Sequence, residues 1–241
     1  MTPLLQRYFG NWQAPSEPPP HLQFPAPPPR TATRLVLMNV PGATNSIVYV
    51  GSLNPHFSDT DTVSMWLSSV MLGAGSQSRL QPLRSQYGAQ ELEADAEESA
   101  QGTLFMVRGA VPTEQTTAFI QRLNQELVGF RSTRPPTQAE LQFAQNYEES
   151  LMLATFASSR NVADGFTSAL IHGHSYEYVL GLAGQFQAAR LQRVRAFVPR
   201  LLDPARLTWI IAGNLEQIEG PIRELHLGTL MVLDRHRQPV H

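Results

Sequence analysis

The sequence predicts an α+β fold in which one antiparallel-dominated sheet is covered on one face by helices. Apolar segments that read as strands occur in tight pairs, near residues 34–53 and 90–110, and helical segments separate the two pairs. A long helical run over residues 113–201 follows, and then a strand, a helix and a short final strand are expected. Strand pairs separated by blocks of helices are typical of a sheet that carries its helices on one side.

The chain begins with a short amphipathic helix and a segment rich in proline. Residues 2–10 have helical spacing of apolar positions, and eight prolines follow between residues 15 and 29. So many prolines favour an extended linker, either a plain spacer or a docking site for a proline-recognising partner. We divide the chain into residues 1–12 as the end of a preceding helix, residues 13–31 as a proline-rich linker and residues 32–241 as one non-catalytic domain.

The first pair of strands precedes a well-marked helix. Residues 34–40 are almost continuously apolar, and Pro41-Gly42 is a turn signal before a second strand at 45–53. Ser58 or Asp59 is expected to cap a helix whose apolar residues recur at helical spacing as far as Met71.

The stretch from residue 72 to residue 97 changes from helical to strand periodicity. A glycine turn at 73–75 precedes a short basic helix, and Gly88 ends that helix. From there four acids alternate with small apolar residues, so that they share one face of a strand. That face is either an ordinary solvated surface or the wall of a substrate site. The acids are Glu91, Glu93, Asp95 and Glu97.

Helices dominate the second half. The first begins at Thr113 and ends at Pro135-Pro136, and Thr137 with Glu140 forms a capping box for the next. Further helices are expected near 158–171, 176–187 and 189–201, strands at 206–213 and 229–233, and a helix capped by Asn214. The helix that follows the capping box is expected to pack through Leu141, Ala144, Glu148, Leu151 and Ala154.

Composition excludes several classes of function. A net charge of −2 and the lack of a basic patch argue against a nucleic-acid partner. The absence of cysteine excludes disulfides and thiol chemistry. No apolar run reaches the ~18 residues of a membrane span, and the first residues do not resemble a signal peptide.

No catalytic or metal-binding motif is present. The sequence has no H-x-x-E-H, no G-x-S-x-G elbow and no phosphate-binding loop. His172 and His174, with Glu177 nearby, could in principle bind a metal, but the intervening glycine favours a polar loop between helices. We therefore expect no catalytic residue, no metal ligand and no cofactor in this chain.

Three segments, in the right order along the chain, resemble the non-zinc domain of insulinase/pitrilysin-type zinc peptidases, the group that includes mitochondrial processing peptidase. They are VPGATNSIVYVG at 40–51, the stretch 72–91, and LTWIIAGNLEQI at 207–218. In the middle segment the matching residues are Leu72, Gly73, Ser78, Arg79, Leu80, Leu83, Arg84 and Gly88.

The resemblance implies a substrate site on the helix-free face of the sheet. In that family this domain closes a chamber over a zinc domain, and an arginine and a tyrosine seven residues later reach the bound peptide. The arginine corresponds to Arg84, but the tyrosine position holds Glu91, and an ionised carboxylate cannot donate a hydrogen bond to an oxyanion. The expected substrate-binding residues are Arg84, Glu91, Glu93 and Asp95.

The missing tyrosine leaves two interpretations. The domain could belong to the zinc-bearing chain of a two-chain peptidase, or to a degenerate, purely structural subunit, like the core proteins of a respiratory complex. Arg84 could also simply pair with a nearby acid such as Glu91. The resemblance further implies that zinc is bound by a preceding N-terminal half and that the substrates are peptides. The expected partner is a zinc-bearing domain, in the same chain or in a second chain of a homodimer or heterodimer. The parent protein is expected in the bacterial envelope or periplasm.

Overall fold

The computed structural model describes residues 2–13, 16–17, 31–99, 101–171 and 173–234. Most of the segment assigned to the proline-rich linker therefore lies outside the described residues. The strands are β1 (Arg34–Asn39), β2 (Asn45–Asn54), β3 (Gln90–Ser99), β4 (Gly102–Pro112), β5 (Thr208–Gly213) and β6 (Thr229–Leu233). The helices are α1 (Thr2–Phe9), α2 (Asp59–Gly73), α3 (Gln81–Tyr87), α4 (Thr116–Arg131), α5 (Gln138–Thr155), α6 (Ser159–Ile171), α7 (Tyr176–Ala188), α8 (Leu191–Leu201) and α9 (Leu215–Glu224).

The six strands form one sheet in the order β3-β4-β2-β5-β1-β6. β2 pairs antiparallel with β4 and β5, and β3 pairs antiparallel with β4. β1 pairs parallel with β5 and β6. The sheet is thus mostly antiparallel, as the sequence predicts, with a parallel region at its β6 side and β3 at the opposite edge.

The core lies between the helices and one face of the sheet. Alternate residues of the central strands are buried there, so that Val50 of β2 lies between Val107 of β4 and Trp209 of β5. α2 lies at the centre of the helical layer, because most of its residues are buried and it packs against β3, α5 and α8. The α+β prediction with helices on one face is confirmed.

The helix caps agree with the sequence at one position and differ at two. Thr137 and Glu140 form the expected capping box at the start of α5. Ser58 and Asn214 occupy the N-cap positions of α2 and α9, but neither side chain makes a capping hydrogen bond. At α9 the Leu215 amide instead donates to Oδ1 of Asn39 at 3.3 Å, because β1 lies beside β5 and ends next to it.

The apolar stripe of α5 extends beyond its buried part. Leu141, Ala144 and Glu148 are buried as predicted, but Leu151 is 45% exposed and Ala154 is exposed as well. Helical spacing identifies a face, but it cannot show where along the helix the packing partner ends. Among the described residues, no helix combines the length and the apolar composition required to cross a membrane.

Gly73 allows α2 to approach the edge strand closely. A Cβ at this position would lie 2.1 Å from the Ala94 amide nitrogen, closer than two such atoms can come. Gly88 serves a different purpose, because its φ of +64° ends α3 in the left-handed region. The two glycines therefore set where the α2–α3 unit meets β3.

Gly73→Ala is expected to lower the free energy of unfolding by about 1–3 kcal/mol or more, because the added carbon meets backbone that must move. Gly184→Ala is the matched control: Gly184 lies inside α7 with open space around it, and the same change should raise stability by up to ~1 kcal/mol. Urea denaturation of both variants measures the two effects. Equal effects of the same sign would show that helix propensity, and not the contact with β3, decides the outcome at Gly73.

Candidate functional site

The sheet surface opposite the helices, here called the open sheet face, carries two of the predicted site residues, Glu93 and Asp95, whereas Arg84 lies on α3. It presents the residues that alternate with the core positions, and their register aligns them in rows across the strands. One row runs from Glu93 through Arg108, Tyr49, Ile210 and Val36 to Met231. In this row Tyr49, Ile210 and Met231 are exposed on the side without helices, whereas Val36 between Ile210 and Met231 is buried.

The centre of the open sheet face is apolar. Ile47 is 49% exposed, Ile210 38% and Tyr49 36%, although all three lie on the two central strands β2 and β5. Leu53 and Leu104 extend the patch, since they lie opposite each other on β2 and β4 and both are exposed. Central strands that are apolar on both faces are usual where both faces are covered.

The acids of β3 border this apolar patch at the sheet edge. Leu92, Ala94 and Ala96 are buried, and Glu93, Asp95 and Glu97 are exposed, so the predicted alternation is present. The Glu93 carboxylate pairs with Nη2 of Arg108 at 2.9 Å, and its hydrogen bond and charge raise the pKa of Arg108. Both side chains are half-exposed, so this pair contributes little to stability.

Glu91 does not follow the simple alternation. The register with β4 shifts between Gln90 and Glu93, and Glu91 has a φ of +50°. Two residues of β3 thus face one residue of β4, which is a β-bulge, a feature that redirects side chains at sheet edges. Glu91 is exposed, but the bulge and not the period of two determines its direction.

Arg84 anchors the same bulge. Its Nη2 donates to the carbonyl oxygen of Leu92, and its Nε is buried without a partner. Arg84 forms no ion pair with any acid of the described residues, and therefore does not pair with Glu91. The guanidinium lies beside a bulged edge strand, and its Nε–H makes no hydrogen bond. Such a group is suited to bind a carbonyl or carboxylate oxygen.

A buried carboxyl lies behind the acidic edge. Glu148 of α5 is buried, and burial, together with the charge of Asp95, raises its pKa to about 7. The sequence identified Glu148 only as the polar member of an apolar stripe. At neutral pH this group is partly protonated, which limits the negative charge next to β3.

The residues described contain no cluster of three or more acidic or histidine side chains that could hold a metal ion. His174 lies in the loop between α6 and α7 and stacks on Tyr178 with ring centroids 4.0 Å apart. His172 lies outside the described residues.

Sequence reasoning missed the apolar centre of the open sheet face. A signal was present, because the segment NSIVYVGSL is apolar at both odd and even positions, whereas a strand with one solvated face alternates. Taken alone, such a pattern is typical of a strand that is covered on both faces. The exposure of Ile47 and Tyr49 shows that the one-sided helical layer leaves this face of β2 uncovered.

A family model described as the peptidase M16 inactive domain matches residues 1–147. No curated protein matches the sequence. Three of the solved structures that share this fold are described below. Their sequence identities to this chain are low, so the likeness shows a common fold and nothing further.

The peptidase M16 inactive domain from Pseudomonas fluorescens is 17% identical with a TM-score of 0.71, over 81% of this chain and 47% of that chain. A protease from Helicobacter pylori is 17% identical with a TM-score of 0.72, over 88% of this chain and 51% of that one. The inactive peptidase domain of a predicted zinc protease from Bordetella parapertussis is 18% identical with a TM-score of 0.61, over 70% and 92%. The chain thus spans about half the length of the first two structures.

Glu148→Gln is expected to change how stability depends on pH. The pKa of Glu148 is about 7 in the native state and 4.5 in its ordinary environment, so the folded protein binds the extra proton between these values. The contribution of Glu148 to the free energy of unfolding is therefore fully present below pH ~4.5 and is lost as the pH rises toward 7. Between pH 5 and pH 8 the unaltered chain should lose up to roughly 3 kcal/mol of unfolding free energy because Glu148 must give up its proton. Glu148→Gln should not show this loss, so its stability relative to the unaltered chain should be higher at pH 8 than at pH 5.

Urea denaturation at both pH values measures the gain, and the difference between them cancels any constant cost of the buried amide. Glu149→Gln, on the exposed side of the same helix, makes the same chemical change as a control. A parallel shift at both pH values in Glu148→Gln would contradict the raised pKa.

Proposed function

This chain belongs to the family of peptidase M16 inactive domains, and we propose that it forms one wall of a chamber closed by a zinc-bearing domain and holds extended peptides on its open sheet face. The observation that carries the proposal is the exposed apolar centre of that face, made by Ile47, Tyr49 and Ile210 on the two central strands. Exposed apolar patches of this kind mark binding surfaces.

The shape and chemistry of the face favour an extended peptide as the ligand. Apolar side chains in rows across the strands offer contacts to alternate residues of a chain laid over them. The acids of β3 border the patch, and Arg108 neutralises only Glu93 among them. A surface that is apolar at its centre and acidic at its border favours peptides that carry both apolar and basic residues.

Hydrolysis in this proposal takes place on the partner domain. The family is that of the inactive domain, and the described residues hold no group of metal ligands. The zinc-bearing domain would be part of the same chain or of a second chain in a homodimer or heterodimer. α1, whose Leu4, Tyr8 and Phe9 are exposed, supplies a further apolar surface for contact with it.

Arg84 and the bulge at Glu91 would lie at the end of the bound peptide. Arg84 keeps donors free after its bond to Leu92, so it is suited to hold a peptide carbonyl or a terminal carboxylate. Glu91, ionised, would attract a basic residue and would not stabilise an oxyanion. Glu93 and Asp95 extend that preference along β3.

A structural role without proteolysis is the alternative, and the carboxylate at position 91 favours it, because a group that stabilises the oxyanion is missing there. Peptidase activity and zinc content of the full-length parent distinguish the two. A parent that contains zinc and cleaves peptides supports the chamber, and a parent that does neither supports the structural role.

Tyr49→Ser/Ile210→Ser is expected to weaken the binding of a labelled peptide that contains apolar and basic residues. Each lost apolar contact should cost ~1 kcal/mol or more, so the affinity should fall at least about tenfold. Fluorescence anisotropy measures the dissociation constant, and circular dichroism checks that the fold is intact.

The control is Leu180→Ser, which removes a 62% exposed apolar residue from α7, away from the sheet. Its affinity should equal that of the unaltered chain. Unchanged binding by the double variant, or an equal loss in the control, would remove the open sheet face as the peptide site.

The acidic edge is expected to select basic peptides. A series of peptides of equal length and differing charge should bind in the order of their positive charge, with differences that shrink as salt is added. Glu93→Gln/Asp95→Asn should reduce this preference, whereas Glu216→Gln, on α9, should leave it intact. Equal binding of basic and acidic peptides at low salt would instead identify the acids as ordinary solvated surface.

A further inference from the structure

A second concentration of charged side chains lies among the helices, on the side of the molecule away from the open sheet face. It surrounds a cavity of about 590 Å³ between α3, α4, the start of α5 and α8, here called the arginine pocket. Its charged lining consists of Arg79, Arg122, Arg134, Arg195, Glu126 and Glu140.

One arginine and one glutamate of the arginine pocket neutralise each other. Nε and Nη2 of Arg79 bind the two carboxylate oxygens of Glu140 at 2.5 and 2.8 Å. Burial would raise the pKa of Glu140, but hydrogen bonds from Arg79 and Thr137 outweigh it and hold the pKa below its usual value. Arg79 also donates to the carbonyls of residues 134 and 135, so four of its five N–H donors are engaged.

The second glutamate is shared by two arginines. Glu126 is buried, and its two carboxylate oxygens pair with Nη2 of Arg122 and Nη2 of Arg134, the latter at 2.7 Å. One carboxylate thus faces two guanidinium groups. One positive charge of this trio remains without a negative partner.

Arg195 adds a further unneutralised charge. Its Nε donates to the carbonyl oxygen of Pro136 at 2.7 Å, which fixes the guanidinium beside the pocket. Its two Nη groups have no partner among the described residues, and no described carboxylate lies within ion-pair distance. The arginine pocket therefore contains two positive charges in excess.

We propose that the arginine pocket binds a small dianion, a phosphoryl group or a dicarboxylate, through Arg122, Arg134 and Arg195. Two excess charges match two negative charges, and guanidinium groups bind such oxygens with two donors at once. The volume lies within the range of ordinary small-molecule sites.

The walls of the pocket are already in place for such a ligand. The consecutive prolines 135 and 136 restrict the backbone of the α4–α5 connection, and Arg79 and Arg195 hold its carbonyls. Pro82 and Leu83 of α3 form an apolar side of the cavity. The protein therefore loses little conformational entropy when the ligand binds, and this favours a higher affinity.

The test measures binding of inorganic phosphate and of succinate to the 241-residue chain, by calorimetry and by thermal unfolding at constant ionic strength. A dianion that binds only the native state should raise the midpoint of unfolding progressively with its concentration, whereas chloride at equal ionic strength should not. Arg195→Gln should weaken binding by about tenfold or more, since hydrogen bonds to charged groups contribute ~1.5–3 kcal/mol.

Arg193→Gln is the matched control, because Arg193 lies on the same helix and pairs instead with Asp61. It should bind as the unaltered chain does. Arg122→Gln is a second variant, in which Glu126 keeps Arg134 as a partner, and it should also weaken binding. Phosphate binding without succinate binding assigns a phosphoryl group, and the reverse assigns a dicarboxylate.

No effect of either dianion beyond that of chloride would overturn the proposal. Binding of both ligands with unaltered affinity to Arg195→Gln and Arg122→Gln would overturn it as well. This outcome is independent of peptide binding on the open sheet face, which the preceding variants test separately.

Discussion

The structure depends on a mismatch between its strands and its helices: the central strands are apolar on both faces, and the described helices cover only one. Val48 and Val50 enter the core, while Ile47 and Tyr49, alternating with them on the same strand, remain accessible. A sheet of this composition normally has both faces covered. The uncovered face is therefore an exposed apolar surface on central strands, and the proposed peptide site lies on it.

Much of the fold follows from local signals in the sequence. The capping box at Thr137 and the strand pairs on either side of the α2–α3 unit have local signatures, and they appear where periodicity and capping rules place them. Features that depend on a neighbour in space were not predictable. Asn39 replaces Asn214 as the acceptor for the start of α9 because β1 and β5 end side by side, and the sequence does not contain that adjacency.

The candidate site shows the same division. The burial of Leu92 and the exposure of Glu93 and Asp95 could be predicted from the sequence, because they follow from the two-residue period of a strand. The bulge at Glu91 was not, because it arises from the register with β4. Likewise the alternative of an ion pair between Arg84 and an acid was reasonable from proximity in sequence, yet the structure directs Arg84 to a backbone carbonyl.

The short helix α3 connects the two sides of the domain. Pro82 and Leu83 line the arginine pocket, and Arg84, the next residue, binds the carbonyl of Leu92 at the edge of the open sheet face. Gly88 ends the helix in a left-handed conformation, and the amide of Ala89 bonds back to the carbonyl of Arg84. Before the helix, the amide of Leu80 bonds to the carbonyl of Leu72, so the seven-residue helix is held at both ends. Leu83 and Arg84 are consecutive residues of this short helix, so the backbone that lines the pocket also carries Arg84. The placement of α3 among the helices therefore also sets where the Arg84 guanidinium meets the bulge of β3.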